Sequence, residues 1–331
     1  MRCISLARSL RDEYSVGIRF AMLDTSRGVS HTGRAIVESY QFPVDIIPRH
    51  SDEEEWLDNT LKERLISGLI FDIRTSLSAS ALMSWRSRNI IIVCIDDPAE
   101  RRLACDLAFY PPVQQIKEMS WAGFSGELKS GWQWILLGPS FTDLAQKKKN
   151  EKPHILISMG GSDPAGITLK VVSSLCLFEQ EYEAHVVLGP AYQHYDQLEE
   201  LIQINKLNIN LHQNVRDMAS FMASMDLAIA SFGVTAYELA ACGIPSLLLC
   251  LTEDHSRSAE SLHNSGAALC LGLHHEVDIE ELAKETEELL INTQKRLSMQ
   301  RAAISLNIGS GSKRIAATIK QTIARNANEV S

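Results

Sequence analysis

The sequence has no apolar run that approaches the roughly 18 residues needed to span a membrane. Its first stretch, MRCISLARSLRDEYS, carries a short apolar segment that is interrupted by Arg8 and Arg11. A secretory signal peptide requires a longer uninterrupted apolar segment. We therefore expect a cytoplasmic protein with no transmembrane segment.

The sequence also lacks paired cysteines. Seven cysteines are present, but none forms a CxxC pair, and several lie in apolar segments. This indicates reduced, mostly buried thiols rather than a disulfide framework. The ten histidines do not cluster with cysteines at the spacing of zinc ligands. The sequence therefore predicts no metal site and no cofactor.

Positive charge is in short supply. The 32 Lys and Arg residues are outnumbered by 41 Asp and Glu residues, which gives a net charge of −9. Such a chain is a poor partner for nucleic acid or for an anionic membrane surface. A single phosphate-binding loop remains possible, because backbone dipoles can hold an anion without basic side chains.

The length of 331 residues suits two domains. Residues 144–152 (LAQKKKNEK) are polar, contain three consecutive lysines and precede a new strand. We interpret them as an interdomain linker, with domains at 1–143 and 153–331.

Short apolar strands alternate with amphipathic helices in both halves, which is typical of α/β domains with parallel sheets covered on both faces. The predicted strands are 16–23, 44–47, 68–71, 89–95, 107–110, 135–137, 154–158, 183–188, 207–211, 227–230, 246–251 and 267–271. The loop Gly160-Gly161-Ser162-Asp163-Pro164 predicts a helix with Asp163 as N-cap and Pro164 at its first position. Further helices are predicted at 215–224 and from about 258.

Residues 226–255, DLAIASFGVTAYELAACGIPSLLLCLTEDH, are the most informative stretch. They read as strand, glycine loop, helix, turn and strand, with Gly233 before the helix and Gly243 after it. A helix that follows a strand through a glycine loop offers unpaired N–H groups and a positive dipole end, which together bind phosphate.

Glu238 lies three residues after Thr235, so both side chains lie on one helical face. A carboxylate there can accept two hydrogen bonds from a ribose diol beside a bound diphosphate. The spacing fits equally well an ordinary α/β unit with a solvated glutamate.

This stretch resembles the donor-binding signature of two-domain nucleotide-sugar enzymes with the GT-B fold, as do ISMGGSDPAGIT, ILLGPSFTDL and IDDPAERRLACDL elsewhere. The family includes the glucosaminyltransferase of peptidoglycan lipid synthesis, the UDP-sugar hydrolase of pseudaminic acid synthesis and its spore-coat-polysaccharide relatives. The resemblance implies two Rossmann-like, doubly wound domains facing across a cleft, with a UDP-sugar as substrate.

The resemblance also implies roles for individual residues. Glu238 would hold the UDP ribose, and the loop at Gly160, Gly161 and Ser162 would form the cleft floor. The helix start near Val215 and Met218 would border the uracil. The diphosphate would contact Ser231, Gly233, Val234 and Thr235.

The sequence departs from the family at two places. Family members begin with a strand and a glycine-rich loop, GxGHxMRCxxLA, whose histidine resembles a general base. Here Met1-Arg2-Cys3 matches the end of that motif, so we expect Met1 to be an internal methionine and the first domain to lack its first strand. The neighbours of that strand, 16–23 and 68–71, should each lose a ladder on one side. The second departure is Asp254-His255, where the family has Asn-Gln. His255 could supply a catalytic imidazole, or one of the two residues could merely cap the following helix.

The leading functional prediction is an inverting hydrolase that releases UDP from a UDP-2,4-diacetamido-2,4,6-trideoxyhexose. One alternative is a GT-B glycosyltransferase with the same donor site. The other is a non-catalytic UDP-sugar-binding protein, suggested by the missing histidine.

Overall fold

The computed structural model describes residues 2–24, 29–72, 77–141 and 150–329. The chain divides into two compact units. Unit 1 comprises Met1–Pro112, Lys117–Pro139 and Ser310–Ser331, and unit 2 comprises Val113–Ile116 and Ser140–Gly309. Residues 310–331 thus group with unit 1, whereas the sequence placed them with the second domain.

The described strands alternate with helices through most of the chain. The strands are β1 Phe20–Leu23, β2 Val44–Ile47, β3 Gly68–Phe71, β4 Ile91–Ile95, β5 Leu107–Tyr110, β6 Glu127–Ser130, β7 His154–Ser158, β8 Glu183–Leu188, β9 Ile209–Gln213, β10 Leu227–Ser231, β11 Ser246–Cys250 and β12 Ala268–Leu273. The helices are α1 Arg2–Tyr14, α2 Val29–Ser39, α3 Glu53–Glu63, α4 Ala79–Arg86, α5 Gln115–Glu118, α6 Ile167–Leu175, α7 Tyr195–Asn205, α8 Met218–Ala223, α9 Val234–Ala241, α10 Glu253–Asn264, α11 Ile279–Ile291, α12 Thr293–Ser305 and α13 Gly311–Glu329.

Unit 2 contains one six-stranded parallel sheet in the order β12-β11-β10-β7-β8-β9. This is the doubly wound arrangement, in which the strand order reverses beside the first strand. The central strand β10 is buried along its whole length, and β7 is buried after its first residue. One face packs Ile155, Ile157, Val186 and Ile229 against α6 and α11.

Unit 1 has two separate parallel sheets among its described residues, β1-β2 and β3-β4-β5-β6. If the central strand β7 is removed from the unit 2 sheet, the strands β9-β8 and β10-β11-β12 remain on its two sides. Unit 1 has the same order, with β2-β1 on one side and β3-β4-β5 on the other. Among the described strands, β1 and β3 therefore each pair on one side only, as the sequence predicted. Their burial agrees, because Leu23 is 40% and Ile70 is 38% exposed.

Helix α1 packs against both sheets of unit 1. Leu6 and Leu10 join β4 and β5 in one apolar cluster. Ile4 and Ala7 join a second cluster with Val37, which partly buried residues of β1 extend. At the start of α1, the Arg2 Nε donates to Asp72 just beyond β3 at 2.9 Å. Side chains of α1 thus connect two sheets that share no hydrogen-bonded ladder in the described ranges.

Two strand predictions in the first half were wrong. The edge strand β6, ELKS, was missed because its residues are polar and mostly exposed. Residues 135–137 were predicted as a strand, and all three are buried without forming one. Their backbone lies against the start of α13, where a Cβ on Gly311 would stand 1.9 Å from the Ile135 carbonyl oxygen. Close contact with a helix buries this apolar run in place of a ladder.

Most of the predicted linker, residues 144–149, lies outside the described part of the chain. Within the described part, no helix is long and apolar enough to cross a membrane.

Candidate functional site

The point of strand-order reversal in unit 2 lies between β7 and β10. Ligands of doubly wound sheets bind outside the carboxyl ends of the strands at this point. The loop after β7 begins with Gly160, and β10 ends at Ser231. A Cβ placed on Gly160 would lie 3.7 Å from the Ser231 Oγ. The fold therefore brings together two loops that the sequence predicted to bind substrate.

The N-terminus of α9 has no side-chain cap. Its N-cap residue is Gly233, which offers no side-chain acceptor, so the first amides of the helix face outward from the loop. Gly233 has an extended backbone, and a Cβ added to it would meet nothing within 4 Å. Val234 is 45% exposed beside this space. An anion can therefore approach the amides of Val234 and Thr235 closely.

The N-terminus of α6, by contrast, is already occupied. The helix begins at Ile167 with Gly166 as its N-cap residue, so the predicted N-cap Asp163 and first-position Pro164 were placed too early. The buried Asp163 carboxylate still accepts from the amides of Ile167 at 2.9 Å and Thr168 at 2.8 Å. Since a carboxylate fills this helix end, the loop after β7 cannot offer it to a ligand phosphate.

The α10 N-terminus is also capped. The Thr252 hydroxyl accepts from the His255 amide at 3.2 Å. The helix begins at Glu253, five residues earlier than predicted, and its first turn carries Glu253 and Asp254. Negative charge there disfavours an anion, so α9 is the open helix end among these three.

Glycine is favoured at positions 160 and 161 for different structural reasons. Gly160 adopts the left-handed region at φ +87°, which favours glycine. Gly161 contacts a residue that the sequence analysis missed, Gly189 after β8. A Cβ on Gly189 would lie 2.1 Å from the Gly161 carbonyl oxygen. A glycine directly after an apolar strand was the available signal for this close approach. Ser162 follows as an exposed residue of the same loop.

Glu238 lies half-buried on α9, one helical turn beyond Thr235. Burial raises the pKa of its carboxyl group. Among the described residues, no side chain pairs with it through a hydrogen bond or salt bridge. Burying a carboxylate without a partner costs desolvation free energy, and such a residue is typical of a functional site when it borders an anion site.

Helix α8 lies against the C-terminal end of α9, where the Cys242 Sγ contacts the Ala219 carbonyl oxygen at 3.8 Å. The helix begins at Met218, with Asp217 as N-cap, so Val215 lies in the preceding loop and not in the predicted helix. Both residues follow β9, at the same sheet edge as the loops after β7 and β10.

Asp254 and His255 lie in the first turn of α10, and neither caps it. The Gln115 Nε2 donates to the Asp254 carboxylate at 3.0 Å and to its carbonyl oxygen at 3.1 Å. The His255 ring lies 6.0 Å from the Phe232 ring, centroid to centroid, in the loop before α9. Its Nδ1 is buried and has no hydrogen-bond partner among the described residues. The His255 imidazole thus lies beside the loop that leads to the open N-terminus of α9, and its Nδ1 has no hydrogen-bond partner among the described residues.

Comparison with known proteins agrees with this geometry. The model of the glycosyltransferase family 28 C-terminal domain matches residues 154–319. The chain is 23% identical over 280 residues to the Bacillus subtilis spore coat polysaccharide biosynthesis protein SpsG, covering 83% of this chain and 82% of that protein. A segment of 108 residues, 32% of this chain, is 37% identical to an uncharacterized protein of Methanocaldococcus jannaschii but spans only 22% of it.

A third relative is the UDP-N-acetylglucosamine–N-acetylmuramyl-(pentapeptide) pyrophosphoryl-undecaprenol N-acetylglucosamine transferase of Bacillus cytotoxicus. It is 28% identical over 182 residues, which is 53% of this chain and 49% of the transferase. The chain therefore spans about half the length of this relative.

Among solved structures, MurG of Acinetobacter baumannii is similar with a TM-score of 0.67 and 16% identity, covering 97% of this chain and 95% of that one. This likeness confirms the predicted α/β GT-B fold. Because the family model matches half of the residues, the chain belongs to glycosyltransferase family 28.

Proposed function

We propose that the chain is a glycosyltransferase that takes its sugar from a UDP-sugar and passes it to a hydroxyl acceptor. The observation that carries this proposal is the uncapped N-terminus of α9 at the reversal point of the unit 2 sheet. The family match favours transfer, and the related transferase is named for a UDP-N-acetylglucosamine donor.

The donor would bind with its diphosphate against the amides of Val234 and Thr235. The space in front of Gly233 leaves room for this approach. The carboxylate of Glu238 would accept hydrogen bonds from both ribose hydroxyls, about 1.5–3 kcal/mol for a bond to a charged group. This contact would give Glu238 the partner that it lacks among the described residues.

The reaction breaks the bond between the anomeric carbon and the diphosphate oxygen, and the acceptor oxygen forms the new bond. UDP leaves with the electron pair, and the acceptor loses its proton to a base. The positive end of α9 stabilises the charge that develops on the leaving diphosphate. His255 is our candidate for the base, because its Nδ1 is uncommitted and its ring lies near Phe232. Asp254 is the weaker candidate, since Gln115 already binds its carboxylate.

The sequence-based hydrolase prediction uses the same donor site with water as acceptor. Hydrolysis of a UDP-2,4-diacetamido-2,4,6-trideoxyhexose stays a prediction from motif resemblance, and the comparisons favour the transferase alternative.

The test is turnover of a panel of UDP-sugars with UDP release as the readout, with and without sugar and lipid-linked acceptors. We expect UDP release that depends on an acceptor. Equal release without any acceptor would replace the transferase by the hydrolase. Binding of UDP-sugar without release under any condition would instead support a binding protein.

A further inference from the structure

Three histidines and a glutamate lie together on one face of the unit 2 sheet, at the opposite ends of β7 and β8 from the donor site. The strand register pairs His154 with Glu183, and it places His185 and His212 on the same face. Residues of the alternate face, such as Ile155 and Val186, belong to the apolar core. From His154 to Gly160 the chain advances roughly 20 Å at about 3.3 Å per residue, so this cluster is separate from the donor site.

The side chains converge at ligand spacing. The His185 Nε2 lies 3.2 Å from the His154 Nδ1 and 3.6 Å from a Glu183 carboxylate oxygen. One ligand atom from each of these three residues lies within 4.8 Å of the others, the one such group found in the described part of the chain. A tetrahedral zinc ion holds nitrogen and oxygen ligands at roughly 2.0–2.2 Å, which spaces neighbouring ligands by roughly 3.3–3.6 Å.

The ion-pair partners of the Glu183 carboxylate are the imidazoles of His154 and His185. Among the described residues, its carboxylate forms a salt bridge with no lysine or arginine, and the nearby Lys152 is paired with Glu181 at 2.9 Å. Imidazole nitrogens beside a carboxylate are a donor set that a divalent transition metal selects.

A second layer of contacts orients these ligands. The His185 Nδ1 lies 3.1 Å from the His212 Nε2, so a proton on Nδ1 leaves the Nε2 lone pair directed at the cluster. The Asn210 amide donates to a Glu183 carboxylate oxygen at 2.8 Å. The Phe221 ring packs against the rings of His185 and His212 in T-shaped contacts. Outer partners of this kind fix the tautomer and the direction of metal ligands.

We propose that His154, Glu183 and His185 bind a divalent transition metal such as Zn²⁺ at the amino ends of β7 and β8. His212 and Asn210 position two of the ligands. The side chains of His154 and Glu183 are 25% and 34% exposed, which leaves a coordination position open to water. The metal would join two neighbouring strands of the sheet and stabilise unit 2 by mass action.

The test measures Zn²⁺ binding to the metal-free full chain by titration calorimetry, and Co²⁺ binding by its visible absorption. We expect one ion per chain and a melting temperature that rises with zinc and returns with a chelator. Glu183→Gln keeps the shape of the side chain and an acceptor for Asn210, and it should weaken Zn²⁺ binding by about 100-fold or more. His212→Asn should weaken it by about 10–100-fold, as for an outer partner.

The matched control is the double variant His274→Ala/His275→Ala, which removes a histidine pair with ring centroids 5.3 Å apart that is not part of the group at ligand spacing in the described residues. It should bind Zn²⁺ like the parent. Glu183→Gln should melt like the parent in chelator, which separates lost metal from lost fold. Equal zinc affinity in the parent and Glu183→Gln, or loss of binding in the control variant, would overturn the proposal.

Discussion

At the residue scale, Glu238 is the side chain that we propose binds the ribose of the donor. Glu238→Gln keeps the size of the side chain but removes the charge-assisted hydrogen bonds to the ribose. We expect UDP affinity to fall by about 1.5–3 kcal/mol in titration calorimetry. Glu200→Gln, an exposed position on α7, is the control and should leave the affinity unchanged. Parental affinity in Glu238→Gln would remove this residue from the site.

The same residue predicts a pH effect on stability without ligand. Burial raises the pKa of Glu238 in the folded protein above its unfolded value of about 4.3. Its contribution to stability is therefore complete below the unfolded pKa and is lost as the pH rises through the raised folded pKa. We expect Glu238→Gln to gain in melting temperature relative to the parent as the pH increases from about 4 to 7. Parallel curves for the two proteins would contradict the burial argument.

Gly233 and Gly189 form a contrasting pair. A side chain at Gly233 meets open space and an ordinary extended backbone, whereas one at Gly189 would strike the Gly161 carbonyl oxygen. Gly233→Val should therefore keep a cooperative melt and lose UDP binding, because the valine fills the approach to the α9 amides. Gly189→Ala should lower the melting temperature instead. Normal UDP binding by Gly233→Val would show that the loop before α9 is not part of the donor site.

At the element scale, β1 and β3 each have one edge that pairs with no other strand in the described part of unit 1. In a parallel ladder, alternate amides of a strand point to opposite neighbours, so each of these strands presents donors that have no strand partner among the described residues. Hydrogen exchange should be fast at alternate amides of β1 and β3 and slow along β7, which pairs on both sides. Uniform slow exchange in β3 would show that its open edge is covered.

Elements defined by local pattern were predictable, and those defined by distant contacts were not. The strand, glycine loop and helix around Gly233 are encoded within one short stretch, so the open helix end and Glu238 could be proposed from the sequence. Asp163 was predicted as the N-cap of α6, but the N-cap is Gly166, and the Asp163 carboxylate accepts from the amides of Ile167 and Thr168 across a turn whose geometry no spacing rule gives.

The histidine cluster was beyond sequence reasoning for a different physical reason. Its members are separated by long stretches of chain, and only the strand register brings them to one face. The search for His and Cys at local ligand spacing therefore predicted no metal site. Histidines placed at strand positions of matching parity were the signal that could have suggested the cluster.

At the scale of the whole molecule, the core of unit 1 depends on α13. Ile315 and Ala316 are fully buried with Leu10 of α1 and with residues of β4 and β5. Ile315→Ala should destabilise unit 1 by about 2–5 kcal/mol through loss of packing and the cavity that remains. Its UDP affinity should match the parent, because the proposed donor site lies in unit 2. The matched control is Leu198→Ala, at a fully buried position in unit 2. It should lower the melting temperature of the transition that UDP raises. Calorimetric melting with and without UDP distinguishes the two.

The return of α13 to unit 1 also bears on the order in which the chain becomes structured on the ribosome. Nearly all of unit 2 is made before Ile315 and Ile319, which complete the buried cluster around α1, β4 and β5, have been synthesised. Domains of a nascent chain usually fold in order from the N-terminus. Here the strands of unit 1 are synthesised early, but their core is complete only after α13 has been synthesised. Unit 2, although translated later, is therefore the first unit whose core can form completely.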